Sequence, residues 1–301
     1  MNLKYKILWI ENEQDWVESI EDQILDYLND LGFDFEKKLI SKEEKDIDYN
    51  YYDLILMDLN LADQPNGAEL ISKIRELGVY TDVVFYSSSG IEELRAKGKD
   101  KELEGVYYSG RTPDASFIKK VKAVIDSTIK KVQDLANVRG LVMAEVSELD
   151  GKMVELIKKY YVHDETEELK KTFYDHITKK HEERLKKSLD GCKKNEMVCY
   201  HKWKNTPIQD IIPRMESAQM AKAVNYIVPE SLYTPSRANF FEDYMTEIVE
   251  VRNQLAHCVS KDVDGKEVLV TRKGDKTFGD EDIKEIRKNI LKYSEIFMKL
   301  L

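Results

Sequence analysis

Asp53-Leu54-Ile55-Leu56-Met57-Asp58-Leu59-Asn60-Leu61 reads as a strand that ends on a carboxylate. Four consecutive apolar residues between two aspartates suit a strand covered on both faces, the usual condition of a parallel sheet. The same pattern recurs outward along the chain. Residues 5–10 form an apolar run stopped by Glu11-Asn12, residues 83–86 form one stopped by Ser87-Ser88-Ser89-Gly90, and residues 105–108 stand as the fifth strand. Helical spacing fills the intervals at 16–31, 67–77 and 92–97. Strand and helix in alternation predict a parallel sheet layered by helices. Ligands of such sheets bind outside the carboxyl ends of the strands, which is where Glu11, Asn12, Asp58 and Ser87 fall.

This constellation resembles the receiver domain of two-component response regulators, over residues 1–126. Ile7-Leu8-Trp9-Ile10-Glu11-Asn12 stands in the place of that family's first strand and acidic pair, and Asp53–Leu61 in the place of its phosphoacceptor strand. Asn66-Gly67-Ala68-Glu69-Leu70 matches the segment that follows. The resemblance implies a flavodoxin-like five-stranded parallel sheet, Asp58 as phosphoacceptor and Ser87 as the hydroxyl that turns toward the phosphoryl group. It also implies a Mg2+ held by Glu11, Asp58 and the Asn60 carbonyl, and a histidine-kinase-like partner. Two positions depart from the pattern. Asn12 replaces the second carboxylate of the acidic pair, and Ser109-Gly110 stands where a lysine is expected, with Arg111 next in line to reach into the lysine's place. A fork is not equivalent to a point charge. The competing reading of these departures is a pseudo-receiver that serves only for docking or dimerisation.

Thr112-Pro113-Asp114 looks like a helix start, with Thr112 as N-cap and Pro113 at the first helical position. No proline follows before Tyr161, so the last receiver helix is expected to lead into the second half without a flexible tether. Residues 127–301 read as mostly helical, with helices at 127–149, 151–161, 165–189, 208–226, 236–259 and 280–301. Asp264-Gly265 beside a β-rich run predicts a small hairpin. The expected architecture is an all-α up-and-down bundle with that hairpin inserted.

Within the helix at 236–259, Arg252-Asn253-Gln254-Leu255-Ala256-His257 combines an imidazole that can move a proton with a guanidinium that can hold an anion. Such a pair suits phosphodiester cleavage by an internal ribose 2′-hydroxyl, with no metal. At 100° per residue Asn253 and His257 lie roughly 40° apart, whereas Arg252 and His257 diverge by roughly 140°. One helix therefore does not bring Arg252 and His257 together, but two antiparallel copies across a dyad could. The run resembles the Arg-Asn-x-x-x-His signature of HEPN ribonucleases. That resemblance implies a homodimeric endoribonuclease with Arg252, Asn253 and His257 as its site, RNA as substrate, 2′,3′-cyclic phosphate as product and a toxin or antiphage role. The alternative is a non-catalytic adaptor whose helical half binds a protein or nucleic acid, with His257 serving as a helix C-terminal histidine. Glu145 is a candidate partner for Arg252.

Composition bounds these readings. No run approaches the ~18 apolar residues that span a bilayer, and a carboxylate arrives at Glu11, too early for a signal peptide, so a cytoplasmic protein without membrane attachment is expected. The net charge is −10, but residues 1–126 hold 16 Lys/Arg against 27 Asp/Glu, while residues 127–301 hold 31 against 30. The acidity thus sits in the first half and leaves basic runs such as Lys202-Trp203-Lys204 in the second, a pattern able to follow a phosphate backbone and equally at home on a solvated helix. Cys192, Cys199 and Cys258 lack metal-ligand spacing and read as ordinary thiols. His163, His176, His181 and His201 have no ligand-like company.

Overall fold

In the computed structural model, the apolar runs become the strands of one sheet. β1 (Lys4–Ile10), β2 (Asp34–Ile40), β3 (Leu54–Asp58), β4 (Val83–Ser87) and β5 (Val106–Gly110) pair in parallel in the order β2-β1-β3-β4-β5. This is the flavodoxin-like doubly wound order, whose switch point between β1 and β3 opens a crevice at the carboxyl ends. Every residue of β3 and β4 is buried, as strands between two helical layers require. The structure describes residues 3–62, 65–132, 135–162, 173, 207–263 and 266–301.

Helix periodicity supplies the layers. α1 (Gln14–Asp30) buries Val17, Ile20, Ile24 and Leu28, and α2 (Gly67–Glu76) buries Leu70, Ile71 and Ile74, each at three- or four-residue spacing. One sheet face, with Leu8, Ile10, Ile55, Met57, Val83 and Phe85, packs with α2. On the other, Trp9 and Tyr86 meet Trp16 of α1 and Phe117 of α4 (Asp114–Val132), following α3 (Ile91–Asp100). The chain divides into two units at Leu141/Val142, whereas the boundary expected at residue 126 lies inside α4. Thr112-Pro113 is a cis peptide and α4 begins at Asp114, one residue later than the sequence placed it.

The second unit is helical, with a small sheet. α5 (Leu135–Ile157), which passes into this unit at Val142, runs unbroken through Gly140 and Gly151, although separate helices were expected over 127–149 and 151–161. The single helix expected over 208–226 is instead α6 (Ile208–Ile211), a 3-10 turn holding Pro213, and α7 (Ser217–Val224), because a proline lacks the N–H that a helix interior needs. α8, residues 240–256, contains a π-helical segment at Met245–Val249 and is followed by α9 (Asp280–Leu300). The expected hairpin is larger than one turn: β6 (Cys258–Val263), β7 (Lys266–Thr271) and β8 (Thr277–Phe278) form a three-stranded antiparallel sheet. The helix expected over 236–259 therefore stops short of Cys258, and Val259, read as part of its buried face, is a strand residue 43% exposed. Phe240, Tyr244, Tyr293 and Phe297 stack where α8 meets α9. The helix expected over 165–189, His163, His176, His181, His201, Cys192, Cys199 and the basic runs of the middle segment lie outside the described residues. Among the described residues no helix is long and apolar enough to cross a membrane.

Candidate functional site

The carboxyl ends of β1, β3 and β4 bring Glu11, Asp58, Asn60 and Ser87 together. Gly67 permits this geometry, since a Cβ there would lie 2.0 Å from the Asp58 carbonyl oxygen. Only a glycine lets the start of α2 approach that closely. The approach is fixed by the Gly67 N–H, which donates to the Leu59 carbonyl at 3.0 Å, and by an Asn66–Glu69 capping box.

Asp58 is 4% exposed and its Oδ2 accepts from the Asn60 N–H at 2.8 Å. The Asn60 side-chain amide in turn donates to the Ser87 hydroxyl at 3.3 Å, placing Ser87 beside the carboxylate's own anchor. Burial, and then the field of Glu11, push the Asp58 carboxyl up from its ordinary value of 3.8 to about 7, against the pull of the Asn60 N–H and Arg111. A carboxylate so placed changes charge near neutrality.

Glu11 is committed on both oxygens. Oε1 accepts from the Glu13 N–H at 2.9 Å, and Oε2 accepts from the Tyr86 hydroxyl at 3.0 Å. Tyr86 is held by the Trp9 indole N–H at 2.8 Å. Arg111, 6% exposed, sends two parallel bonds of 2.7 Å to the Glu13 carboxylate, lies 3.8 Å from Glu11 Oε2 and covers the Trp16 ring at 4.0 Å. Asn12 is exposed on the rim, and the Ser109 hydroxyl donates to the Gly110 carbonyl.

The Mg2+ implied by the resemblance meets an unsuitable donor set here. Two carboxylates and the Asn60 carbonyl stand at this end of the sheet, both Glu11 oxygens already accept hydrogen bonds, and a guanidinium lies against Glu11. Mg2+ demands near-octahedral oxygen ligation, and a fixed cation beside one of its ligands opposes it. Among the described residues no group of three or more His, Cys, Asp or Glu could hold a metal ion.

No protein-family model and no curated protein matches this chain. Solved structures do. The phosphorylated response regulator of a cyanobacterial phytochrome is similar at 20% identity and a TM-score of 0.32, over 41% of this chain and 91% of that one. The receiver domain of a Francisella response regulator is similar at 12% and 0.31, over 43% and 99%, and a CheY-like receiver domain from Methanospirillum hungatei at 18% and 0.30, over 42% and 98%.

The second unit disposes its motif differently. Asn253 and His257 are exposed, His257 being the C-cap of α8, with its N–H donating to the Gln254 carbonyl at 3.0 Å. Arg252 is half-buried within its own unit. Its Nη2 donates to the Ser217 hydroxyl at 3.4 Å, and that hydroxyl donates to Asp150 Oδ2 at 2.7 Å. Burial raises the Asp150 carboxyl, eased by Ser217 and Arg252. Arg252 Nε, Asp150 Oδ1 and the Tyr244 hydroxyl are buried there without a hydrogen-bond partner.

Sequence reasoning missed Glu13, Tyr86, Asp150 and Ser217. The Glu11-x-Glu13 spacing was a signal for the first of these. The other three depend on pairings far apart in sequence.

Proposed function

We propose that this chain is a two-unit signalling protein whose first unit acts as a receiver module with Asp58 as its phosphoacceptor. The buried Asp58 carboxylate, anchored by the Asn60 N–H with the Ser87 hydroxyl alongside, carries this reading. An Asp58 oxygen attacks the phosphorus of an acyl phosphate or a partner kinase's phosphohistidine. The new P–O bond forms as the bond to the donor breaks, and the donor leaves with the electron pair. Incubation with acetyl phosphate followed by intact-mass measurement tests this. A single phosphoryl adduct, absent from Asp58→Asn, is expected; an unmodified wild-type chain that also fails to bind beryllofluoride would overturn it.

For the second unit the proposed output is metal-independent RNA cleavage by a homodimer. Exposure of Asn253 and His257 at the end of α8 favours this, since both remain accessible to RNA or to a second copy. The competing reading, a non-catalytic adaptor, is favoured by the Asp150–Ser217–Arg252 cluster, which employs Arg252 inside its own chain. Cleavage of mixed RNA in EDTA, lost in His257→Ala, supports the nuclease; an undiminished rate in both His257→Ala and Arg252→Ala refutes the assignment of the site to these residues, and no cleavage by the wild-type chain assigns the unit to the adaptor class.

A further inference from the structure

The pocket around Asp58 contains its own cation. The Arg111 backbone is fastened to the site, its N–H donating to the Ser87 carbonyl at 2.9 Å, so its side chain is rooted beside the residue whose hydroxyl accepts from the Asn60 amide. The guanidinium is almost wholly buried, with 7% of the side chain exposed, and Trp16 lies under it. Its bidentate partner is different in kind, since the Glu13 side chain is 60% exposed. A carboxylate largely in water loses little when its ion pair breaks, because solvent replaces the partner. A guanidinium with a dry stem and a loosely held partner is poised to change partners, and its planar fork matches two oxygens of a tetrahedral anion as well as those of a carboxylate.

We propose that Arg111 is the resident counter-ion of this pocket: it allows a phosphoryl-type anion to bind at Asp58 without a divalent metal, exchanging Glu13 for the anion. This rests on the receiver reading of Asp58 and departs from it at the metal. Three observations converge. Each Glu11 oxygen already accepts a hydrogen bond, Asn12 has replaced the second carboxylate, and Arg111 already stands 3.8 Å from Glu11. Each removes something a divalent ion would use or supplies what it would provide. A consequence follows for Glu13. It competes with the anion for Arg111, so the pocket should bind anions better without it.

Beryllofluoride, a tetrahedral mimic of an aspartyl phosphoryl group, is the probe, titrated into the Trp203→Phe chain in resin-treated buffer with and without Mg2+. The two remaining tryptophans are Trp9 and Trp16, and Trp16 should change its emission when Arg111 leaves its ring; affinities of all variants, Arg111→Gln included, are read by isothermal titration calorimetry. Affinity is expected to agree within about threefold between the two buffers. Arg111→Gln should weaken binding by about ten- to a hundredfold, the scale of a lost charge-assisted bond, with partial rescue by Arg111→Lys. Glu13→Gln should tighten it by up to about fivefold, the worth of an exposed ion pair. Binding that requires Mg2+ would overturn the inference and leave the receiver reading standing. Binding in neither buffer would overturn the inference, and the receiver reading with it where acetyl phosphate also leaves the chain unmodified. Weaker binding in Glu13→Gln would refute the exchange of partners.

Discussion

Replacing Asp58 by Asn removes one titration and almost nothing else, since the two side chains have the same shape. In the unfolded chain the carboxyl releases its proton near 3.8; in the folded chain burial and Glu11 hold the proton until about pH 7. Between those values the folded state binds more protons than the unfolded one, so stability falls as pH rises through the window and levels off above it. The gap corresponds to about 4 kcal/mol in full, at ~1.4 kcal/mol per pH unit. Between roughly pH 5.5 and 8.5, wild type should lose about 2 kcal/mol relative to Asp58→Asn, because part of the window lies below the range. Urea unfolding followed by tryptophan emission in the Trp203→Phe background measures it, since Trp9 and Trp16 both belong to the first unit. Comparing the two chains at each pH cancels the titrating groups that do not interact with Asp58. A stability difference constant to within ~0.5 kcal/mol across that range would show that Asp58 ionises as an ordinary aspartate, and the account of the pocket's electrostatics would fail.

Gly67→Ala should destabilise the first unit by about 3 kcal/mol and weaken beryllofluoride binding, because the new methyl meets the Asp58 carbonyl; unchanged urea midpoint and affinity would contradict the close approach. Asp243 accepts from Tyr233, from Arg237 and twice from Ser236 at 2.7–2.9 Å, and these bonds outweigh burial to bring its carboxyl down to about 2. The stability it confers is present above pH 3.8 and lost as pH falls toward 2, about 2 kcal/mol that Asp243→Asn should lack in acid unfolding monitored by circular dichroism. If the motif works across a dyad, His257→Ala and Arg252→Ala should each lower RNA cleavage at least ~100-fold, and mixing the two variants should restore part of it; full activity in either alone refutes the catalytic assignment.

The first unit was legible because β3 and β4 are apolar up to the residue that ends them and its helices are not. β1, β3 and β4 announce themselves by composition, and the residues after them mark the crevice by position alone. β2 was not locatable by the same rule. Asp34-Phe35-Glu36-Lys37-Lys38-Leu39-Ile40 is an edge strand carrying charges on its exposed side, as edges that must not pair with other chains do, and that dilutes the apolar signal. In the second unit periodicity overran its element. Leu255 and Val259 are four apart and continue the stripe of α8, yet Cys258 begins a strand, because the register of β6 with β7 pairs Val259 with Val270. Tertiary pairing decided what local spacing left ambiguous.

The candidate sites divide along the same line. Asp58, Glu11, Asn60 and Ser87 are fixed by where strands end, and that is a sequence property once the strands are known. Arg111 is different: its place in the chain puts it just past β5, but its meaning comes from Glu13 and Trp16, 98 and 95 residues away, which the fold sets beside it. Arg252 follows the same logic with the opposite sign. Helix geometry turned it away from His257, and the sequence offered Glu145 as what it would turn toward; the structure supplies Ser217 and, through it, Asp150. A guanidinium engaged by a half-buried hydroxyl that a carboxylate holds in turn is oriented, and orientation serves a catalytic arginine and a structural one equally well. Asp150→Asn separates them. If Arg252 works on RNA, loss of the carboxylate that holds it should lower kcat while the urea midpoint of the second unit moves little; if Arg252 is structural, the midpoint should fall and any cleavage should persist in proportion to the folded fraction.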